Sequence, residues 1–474
     1  MIAVFDIGKT NKKFTLFSGD LKPVKTVTIR IEERKVGNLL CDDVKAIEIW
    51  MKDILKEYGK DVEAIAVTTF GATIALLNRE GNLVLPVISY NQDVEENIRK
   101  KFFEEFGSPE ELYMRTGTPP LGGLLNVGLQ LYWVSRKWPE KYGRVCTVLF
   151  LPQYLSKKLV GKDSIEITSL GCHTYLYDIL LKGWSNVAEG LEVPSKASEM
   201  FNVWDVLGRD SEGRIITPGI HDSNASLLPY LVSWGNERFV LASTGTWCVF
   251  MCPGLGFTPK REDVYKDTLY YIDAYSRPVR SSRFKCGYEF DYYSNLIEKL
   301  FKVDPRRIEV NPKILLEVIR EQVFITPTLT PGTGQFPWSK SRIIGEDKFR
   351  ENPVKAYHIL NVSLAAQTVY ALKSIGFTEK IIVQGGFARN TVYLKALATL
   401  LPNSKILRAS YPEATSLGTA LTAKAALEGV DPRKVYFDKS VLEVEEVKGL
   451  EVEDKYVESF LQEFYRKALE RVEG

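Results

Sequence analysis

The chain opens with the apolar run Ile2-Ala3-Val4-Phe5, which passes into Asp6-Ile7-Gly8-Lys9-Thr10-Asn11 and then into a second strand-like run, Lys13 to Phe17. A short apolar run is typical of a buried strand, and a turn with glycine and asparagine is typical of a hairpin. Asp6 is therefore expected where a buried strand ends. A carboxylate there can hold a hydrated cation, and the backbone N–H groups of the turn can form a concavity for phosphate oxygens. A plain hairpin with an exposed aspartate has the same pattern.

A second copy of this pattern lies about halfway along the chain. Phe239-Val240-Leu241-Ala242 is followed by Ser243-Thr244-Gly245-Thr246 and then by Trp247-Cys248-Val249-Phe250-Met251. Two such hairpins predict two similar domains, each presenting a phosphate-binding turn to one nucleotide between them. The length of 474 residues also exceeds the ~250–300 at which a single core usually divides. The predicted domains are residues 1–235 and 236–474.

Composition excludes several classes of protein. The chain is 45% hydrophobic and 26% charged, which is ordinary for a globular protein. Its formal net charge of +2, with both signs interspersed, gives no basis for a nucleic-acid interface. No apolar run approaches the ~18 residues of a membrane span, and no signal-peptide pattern precedes the first strand. The cysteines form no CxxC pair, so they are predicted to be reduced core thiols. A cytoplasmic protein without nucleic-acid or membrane partners is therefore expected.

The sharpest local signal is Gly219-Ile220-His221-Asp222-Ser223-Asn224-Ala225, which passes from a Pro/Gly turn into a small-residue helix. An aspartate in the first turn of such a helix is commonly an N-cap. A carboxylate near a helix N-terminus also stays ionised, because the helix dipole favours its charge. It can then accept the proton of a hydroxyl group that attacks phosphorus. Both interpretations stay open from these residues alone.

A third glycine motif follows a late strand. Lys380-Ile381-Ile382-Val383 is predicted as the strand, and it is followed by Gln384-Gly385-Gly386-Phe387-Ala388-Arg389-Asn390 and a helix from about Thr391. Two glycines between a strand and a helix allow a flat ring to lie against bare backbone. Asn390 also fits a simple helix cap.

Polar residues after two further predicted strands are candidates for substrate contact. Ala64 to Thr69 is followed by Phe70-Gly71-Ala72, and Leu83 to Tyr90 is followed by Asn91-Gln92-Asp93. His173 lies in a segment dense in hydrogen-bonding side chains, where a satisfied buried histidine is an equal alternative. After the second hairpin, the chain is expected to be irregular as far as residue 290.

Taken together, these segments resemble the FGGY family of carbohydrate kinases, within the actin/hexokinase-like ATPase superfamily. Asp6-Ile7-Gly8-Lys9-Thr10 resembles the first phosphate loop of the family, and Ser243-Thr244-Gly245-Thr246 resembles the second. The segment around Asp222 resembles the one that carries the catalytic aspartate. Gly385-Gly386 with Asn390, continued by Glu413 to Ala420, resembles the adenosine region and the C-terminal signature.

The resemblance implies an α/β fold in which two ribonuclease-H-like (actin-like ATPase) domains face one another across a catalytic cleft. It implies ATP and Mg²⁺ as cofactors, with Asp6 at the metal and Asp222 as the base that deprotonates a sugar hydroxyl. The implied nucleotide-binding residues are Gly8, Lys9, Thr10, Thr244, Gly245, Thr246, Gly385, Gly386 and Asn390. The candidate substrate-binding residues are Gly71, Ala72, Gln92, His173, His221 and Asp222.

The sugar-side positions depart from the common family pattern. Asn91-Gln92-Asp93 stands where the family often has an acidic residue and an arginine, Gln153 where it often has aspartate, and Gly71-Ala72 where it commonly has Gly-Gln. These departures put xylulose and glycerol in doubt as substrates. The Gly-x-His-Asp segment and Gly287-Tyr288-Glu289 are more similar to kinases for six-carbon deoxyketoses such as rhamnulose or fuculose.

The expected function is therefore transfer of the γ-phosphoryl group of ATP to a ketose hydroxyl. Another substrate of the family (xylulose, ribulose, glycerol or another polyol) and a non-sugar ATPase of the superfamily stay open, whereas a non-catalytic sugar sensor is disfavoured because Asp222 is present. The expected partner is a small-molecule sugar, and a homodimer is left open. A P-loop NTPase is disfavoured because Ala3 stands where that motif needs glycine and a strand follows Thr10. A Rossmann dehydrogenase is excluded because no GxGxxG turn follows a strand.

Overall fold

The computed structural model describes residues 1–235, 237–411 and 413–470, and it contains two seven-stranded mixed sheets. One sheet is built from the first half of the chain and the other from the second half. The predicted start of the second domain, residue 236, lies outside the described residues, as do residues 471–474 at its predicted end; the boundary stays a prediction. Among the described helices, none is long and apolar enough to cross a membrane.

The first half of the chain contains long and short strands, seven of which form its large sheet. Its strands are β1 (Ile2–Ile7), β2 (Asn11–Phe17), β3 (Pro23–Arg30), β4 (Arg34–Val36), β5 (Leu39–Cys41), β6 (Ala64–Thr69), β7 (Ile74–Leu77), β8 (Thr147–Phe150), β9 (Ile165–Glu166), β10 (Tyr177–Asp178), β11 (Gly183–Trp184), β12 (Met200–Phe201), β13 (Gly208–Arg209), β14 (Ile215–Ile216) and β15 (Ile220–His221). Its helices are α1 (Val44–Tyr58), α2 (Glu96–Phe106), α3 (Pro109–Thr116), α4 (Val127–Lys137), α5 (Pro139–Tyr142), α6 (Leu151–Val160), α7 (Ile167–Leu170), α8 (Asn186–Gly190), α9 (Val193–Lys196) and α10 (Asp222–Trp234).

The second half continues the numbering. Its strands are β16 (Val240–Thr244), β17 (Cys248–Pro253), β18 (Thr268–Ile272), β19 (Pro278–Phe284), β20 (Phe324–Ile325), β21 (Ile343–Ile344), β22 (Lys380–Gly385), β23 (Lys405–Ala409) and β24 (Val444–Val447). Its helices are α11 (Cys286–Phe301), α12 (Pro312–Glu321), α13 (Glu346–Phe349), α14 (Pro353–Ile375), α15 (Thr391–Leu400), α16 (Ala414–Glu428) and α17 (Asp454–Leu469).

The two predicted hairpins occupy equivalent places in the two sheets. β1 pairs antiparallel with β2 and parallel with β6, and β16 pairs antiparallel with β17 and parallel with β22. β1 is buried on both faces, with Ala3 and Phe5 in one core and Ile2 and Val4 in another, which explains its continuous apolar run. Because β1, β6, β16 and β22 end near the junction of the two halves, their carboxyl ends bring the glycine turns and Asp6 to one cleft.

Small residues hold the two halves together behind this cleft. Helix α16 of the second half packs against helix α10 of the first, and a Cβ atom on Gly418 would lie only 1.8 Å from the carbonyl oxygen of Ala225. The apolar residues around this crossing form one core that includes strand residues from both sheets, among them Val4, Leu241 and Ile382. The crossing fixes the start of α10, and therefore Asp222, against the second half.

Two expectations about secondary structure are wrong. The run from Leu83 to Tyr90 is irregular apart from isolated bridges, because Pro86 has no N–H to give to a ladder. The stretch before residue 290 contains the hairpin of β18 and β19. Hydrophobic periodicity does not reveal this hairpin because the hairpin buries polar residues. Arg280 is buried against Asp263, and Arg283 is buried against Asp267.

Candidate active site

A cavity of about 360 Å³ lies between the two halves, at the carboxyl ends of the parallel strands. Strand ends and turns of the first half form one wall, and the second hairpin with β18 and β19 forms the other. Of the residues predicted from the sequence, the structure brings the following to this cavity: Asp6, Gly8, Lys9, Gly71, His173, His221, Asp222, Thr244, Gly245 and Thr246.

A second cavity of about 340 Å³ lies on the second half and shares Gly245 and Thr246 with the first. It contains the predicted residues Gly386 and Asn390, and its walls include the rings of Phe290 and Tyr357. The two cavities therefore form one cleft that narrows at the second glycine turn. Its shape suits an elongated ligand with an aromatic ring at one end and phosphates at the turn.

Asp222 is the first residue of α10 and faces the first cavity, with 33% of its side chain exposed there. Its Oδ1 accepts from Ser223 N at 2.6 Å and lies 3.2 Å from His221 Nε2, whereas Oδ2 has no hydrogen bond among the described residues. Burial in the cleft raises the pKa of Asp222 to about 6 and outweighs the hydrogen bonds from Ser223, which lower it. One oxygen is thus held in place and the other is free to accept a proton near neutral pH.

His221 lies beside this carboxylate as a neutral imidazole. Burial lowers the pKa of His221 to about 3. Its Nδ1 lies 3.3 Å from Asn224 Nδ2, and its Nε2 lies 3.4 Å from Cys172 Sγ and 3.2 Å from Asp222 Oδ1. The His221 backbone N–H donates to Thr168 Oγ1 at 3.1 Å. The histidine therefore packs against Asp222 without adding a charge to it.

Asp6 lies at the end of β1, on the floor of the same cavity. Burial raises the pKa of Asp6 to about 6, the charge of Lys13 opposes this shift, and the charge of Asp222 adds to it. Lys13 Nζ lies 3.9 Å from Asp6 Oδ2 and 2.5 Å from Glu413 Oε2. A buried carboxylate whose pKa is raised further by the charge of a second carboxylate in the same cleft is a suitable setting for a divalent cation.

The protein alone offers few ligands for such a cation. Within the described residues, no three His, Cys, Asp or Glu side chains are grouped so that they could hold a metal ion. A hard cation such as Mg²⁺ commonly takes one or two carboxylates together with water and substrate phosphates. Asp6, beside the two phosphate-type turns, fits that mode of binding.

The ammonium group of Lys9 is held inside the first half. Lys9 Nζ lies 2.7 Å from Asp42 Oδ1, 2.7 Å from Glu33 Oε1 and 3.0 Å from Ser89 Oγ. The same nitrogen lies 4.7 and 4.3 Å from the ring centroids of Phe70 and Tyr90. The group available to a phosphate at this turn is therefore the backbone, while the Lys9 side chain supports two aromatic walls of the cavity.

Four predicted residues do not line either cavity. Thr10 is exposed, and Gln92 accepts from Leu40 N at 2.8 Å. Ala72 has a positive φ of 53° and is buried. Gly385 has a φ of 82°, and a Cβ atom there would lie 2.2 Å from Thr244 O, so this glycine allows two strands to approach. Gly386 is different, because its Cβ would find only an ordinary contact at 3.8 Å.

Sequence reasoning missed several residues of the cavity wall. On one side the apolar residues Phe70, Tyr90 and Leu125 form a continuous patch, and on the other lie Tyr271 and Arg283. Tyr271 and Arg283 come from β18 and β19, the strands that hydrophobic periodicity does not reveal. The aromatic residues Phe70 and Tyr90 stand directly before predicted polar contacts, which is the signal that could have identified them.

Comparison with known proteins covers both halves. Residues 1–201 match the family model described as the FGGY family of carbohydrate kinases, N-terminal domain. Residues 236–431 match the model described as carbohydrate kinase FGGY, C-terminal domain.

Solved structures share the fold over almost the whole chain. A carbohydrate kinase from Novosphingobium aromaticivorans is 28% identical, with a TM-score of 0.79 over 98% of this chain and 100% of that one. Glycerol kinase from Plasmodium falciparum, solved with ADP, is 16% identical, with a TM-score of 0.78 over 100% and 99%. Ligand-bound xylulose kinase from Lactobacillus acidophilus is 15% identical, with a TM-score of 0.76 over 98% and 97%. These matches confirm the predicted two-domain α/β architecture.

Proposed function

The chain belongs to the FGGY family of carbohydrate kinases, whose members use ATP, and we propose that it phosphorylates a six-carbon deoxyketose such as rhamnulose or fuculose. The observation that carries this proposal is the position of Asp222. Its free Oδ2 faces the first cavity, which has apolar and polar lining residues. Gly245 and Thr246 line both this cavity and the second cavity, which is the proposed nucleotide site. A base, an acceptor site and a phosphate turn therefore meet at one point.

In the proposed mechanism, Asp222 Oδ2 accepts the proton of the attacking hydroxyl, and the backbone N–H of Ser223 holds Oδ1 in place. The backbone N–H groups of the turns at 8–10 and 244–246 bind phosphate oxygens. Asp6 would hold Mg²⁺, which when bound neutralises charge on the transferred group. Closure of the cleft excludes water, so that the sugar hydroxyl receives the phosphoryl group.

The walls of the acceptor cavity support a deoxyketose. Phe70, Tyr90 and Leu125 supply apolar lining, which suits a methyl group, while His173 and Arg283 supply polar lining, which suits hydroxyl and carbonyl oxygens. Burying one methyl or methylene group is worth about 0.8 kcal/mol. Glycerol has no apolar end to use that apolar lining. Xylulose, ribulose and other polyols remain the competing substrates for the same site.

The test is ADP release from Mg·ATP by purified protein across ketoses, polyols and aldoses, with a sugar-free blank. Selective stimulation by rhamnulose or fuculose over xylulose and glycerol would support the proposal. Stimulation by xylulose alone would move the substrate to the pentuloses. An equal rate with and without every sugar would indicate a plain ATPase of the same fold.

We also propose the two-domain division near residue 235, dependence on Mg²⁺, and work in the cytoplasm with a small-molecule sugar as partner. Five of the six cysteines are buried, and all six are free thiols in the part of the chain that the structure describes. Free buried thiols are typical of a reducing compartment.

Activity is expected to fall in mild acid. Burial raises the pKa of Asp222 to about 6. Because Asp222 acts in its ionised form, kcat/KM for the sugar at saturating Mg·ATP should rise with pH through about 6 and level off above it. ADP should be quantified directly, so that coupling enzymes do not impose their own profile. A flat profile between pH 5 and 8 would contradict ionisation of Asp222 as the limiting event.

Replacing Gly386 with leucine should weaken ATP binding without damage to the fold. A Cβ atom at this position has room, and the side chain would enter the nucleotide cavity. Overpacking a site costs roughly 1–3 kcal/mol, so KM for ATP should rise about tenfold or more while KM for the sugar stays constant. Gly19→Leu, at a turn where a Cβ atom meets nothing within 4 Å, is the control. An unchanged KM for ATP would remove Gly386 from the nucleotide site.

A further inference from the structure

The acceptor cavity contains a guanidinium group that comes from the second half of the chain. Arg283 lies on β19, only 6% of its side chain is exposed, and it lines the cavity beside residues of the first half. Its Nη1 lies 3.3 Å from His173 Nε2, across the junction of the two halves. The polar residues that follow Tyr90 in the first half do not line the cavity. The cavity therefore has a cationic side chain from each half, Lys9 and Arg283, and Arg283 is the one that the second half supplies.

His173 has one ring nitrogen that the protein leaves without a partner. Its Nε2 faces two groups that donate, Arg283 Nη1 at 3.3 Å and the Tyr271 hydroxyl at 3.4 Å. With Nε2 as an acceptor, Nδ1 carries the proton, and Nδ1 has no hydrogen-bond partner among the described residues although the side chain is only 5% exposed. Burial and the charge of Arg283 keep the pKa of His173 well below its usual range, so the ring stays neutral. Nδ1 has almost no accessible surface, so the part of His173 that bears on the cavity is Nε2, which accepts from Arg283 Nη1 and helps to hold the guanidinium group at the wall.

The surroundings of Arg283 favour a neutral acceptor over a phosphate. Its Nε and Nη2 lie 3.4 Å from Asp267 Oδ1, which neutralises the charge without occupying Nη1. The guanidinium lies 4.7 Å over the ring of Trp247, which fixes its plane. Burial raises the pKa values of Cys172 and Tyr271, which lie beside the histidines, and the charge of Arg283 opposes that rise. The charge of Arg283 does not shift the pKa of Asp222, the residue that is proposed to act next to the transferred phosphoryl group.

We propose that Arg283 is a specificity-determining residue whose Nη1–H donates to a carbonyl or hydroxyl oxygen of the sugar, and that His173 positions the guanidinium group through its Nε2. This inference rests on the proposed function, because it assigns contacts within the same acceptor site. According to this proposal, the second domain contacts the sugar as well as binding the nucleotide. Acceptor affinity then depends on how the two halves sit against one another.

The test is the double variant Arg283→Met with Asp267→Asn, which removes the donor without leaving a buried carboxylate unpaired. KM for the preferred sugar should rise roughly tenfold or more, the range for loss of one charged hydrogen-bond donor, while KM for ATP stays constant. Arg283→Lys should recover part of the affinity. The matched control is Arg280→Met with Asp263→Asn, an equally buried pair whose arginine is on the same strand as Arg283 and which lies outside the cavity. This control should keep both KM values.

Two outcomes would overturn the inference. One is an unchanged KM for the sugar in the Arg283 variant, and the other is an increase in KM for ATP alone, which would make Arg283 a phosphate ligand. Thermal unfolding of both double variants separates a loss of stability from a loss of recognition, since both lose a buried pair. Failure of the proposed function would look different, because the unaltered protein would then show no dependence on sugar.

Discussion

Replacing Asp222 with alanine is expected to lower kcat with ATP and the preferred sugar by roughly 10²–10⁴-fold, the usual contribution of a general base. The carboxylate has one oxygen fixed by the backbone N–H and the hydroxyl of Ser223 and another free in the acceptor cavity. The other carboxylate that lines this cavity, Asp6, is engaged by Lys13 and by Ser416, whose hydroxyl donates to it at 3.4 Å.

Asp222→Asn separates the charge of this residue from its shape. The amide keeps an acceptor for Ser223 N and fills the same volume, so α10 should begin as before. It cannot take a proton from a hydroxyl, so kcat should fall nearly as far as in Asp222→Ala. Binding of a non-hydrolysable ATP analogue, measured by calorimetry, should change little because Asp222 does not line the nucleotide cavity.

The control for both variants is Asp273→Asn. Asp273 is also a buried carboxylate that accepts backbone N–H groups, from Tyr275 and Arg277, but it lies outside both cavities. Its replacement should affect thermal stability and leave kcat close to that of the unaltered protein. If Asp222→Asn kept near-full kcat with sugar, Asp222 would be a helix-start residue only, and the proposed base would have to be sought elsewhere.

The parts of the site that could be predicted from the sequence are those whose chemistry is local. A strand that is buried on both faces is continuously apolar, so β1 and β16 are visible as short runs. The turn after β1 needs glycine for a local reason, because a Cβ atom on Gly8 would lie 2.9 Å from Asn11 O. Asp222 is visible because a turn and a helix start flank it. In each case the sequence neighbours are also the spatial neighbours.

The parts that could not be predicted depend on partners far away along the chain. Arg283 is buried because Asp267 neutralises it, and without that knowledge β19 looks too polar to be an inner strand. Lys9 looks like a phosphate contact until Asp42 and Glu33 are placed beside its ammonium group. A residue's type shows which interactions it can make, and only the fold shows which of them it does make.

Adjacent glycines give a further example. Gly385 and Gly386 are indistinguishable in the sequence, and the motif predicts both at the adenosine. In the structure, Gly385 has a positive φ and no space for a Cβ, whereas Gly386 has space and lines the nucleotide cavity. The first is needed for the approach of β16 to β22, and the second is the better candidate for ligand contact.

Gly287→Ala is expected to lower kcat about 10²-fold while the protein stays folded. Gly287 is the second residue of α11, and a Cβ atom there would lie 2.1 Å from Gly245 O and 3.1 Å from Thr246 Cα. Cβ atoms in proteins essentially never approach other atoms below 3.0 Å, so the turn or the helix must move by about 1 Å. A misplacement of that size can cost about 10²-fold in rate.

The shift would act on the phosphates because the turn at 245–246 joins the two cavities. Tyr288 N donates to Thr246 O at 3.3 Å, so the start of α11 and the turn would move together. Overpacking typically costs about 1–3 kcal/mol, so the melting temperature should fall moderately and the circular dichroism spectrum should stay native. Gly19→Ala, at a position with no neighbour within 4 Å, should leave kcat unchanged. A Gly287→Ala variant with normal kcat but a lower melting temperature would show that the turn's position does not limit the reaction, and the assignment of Gly245 and Thr246 to the phosphates would lose its main structural support.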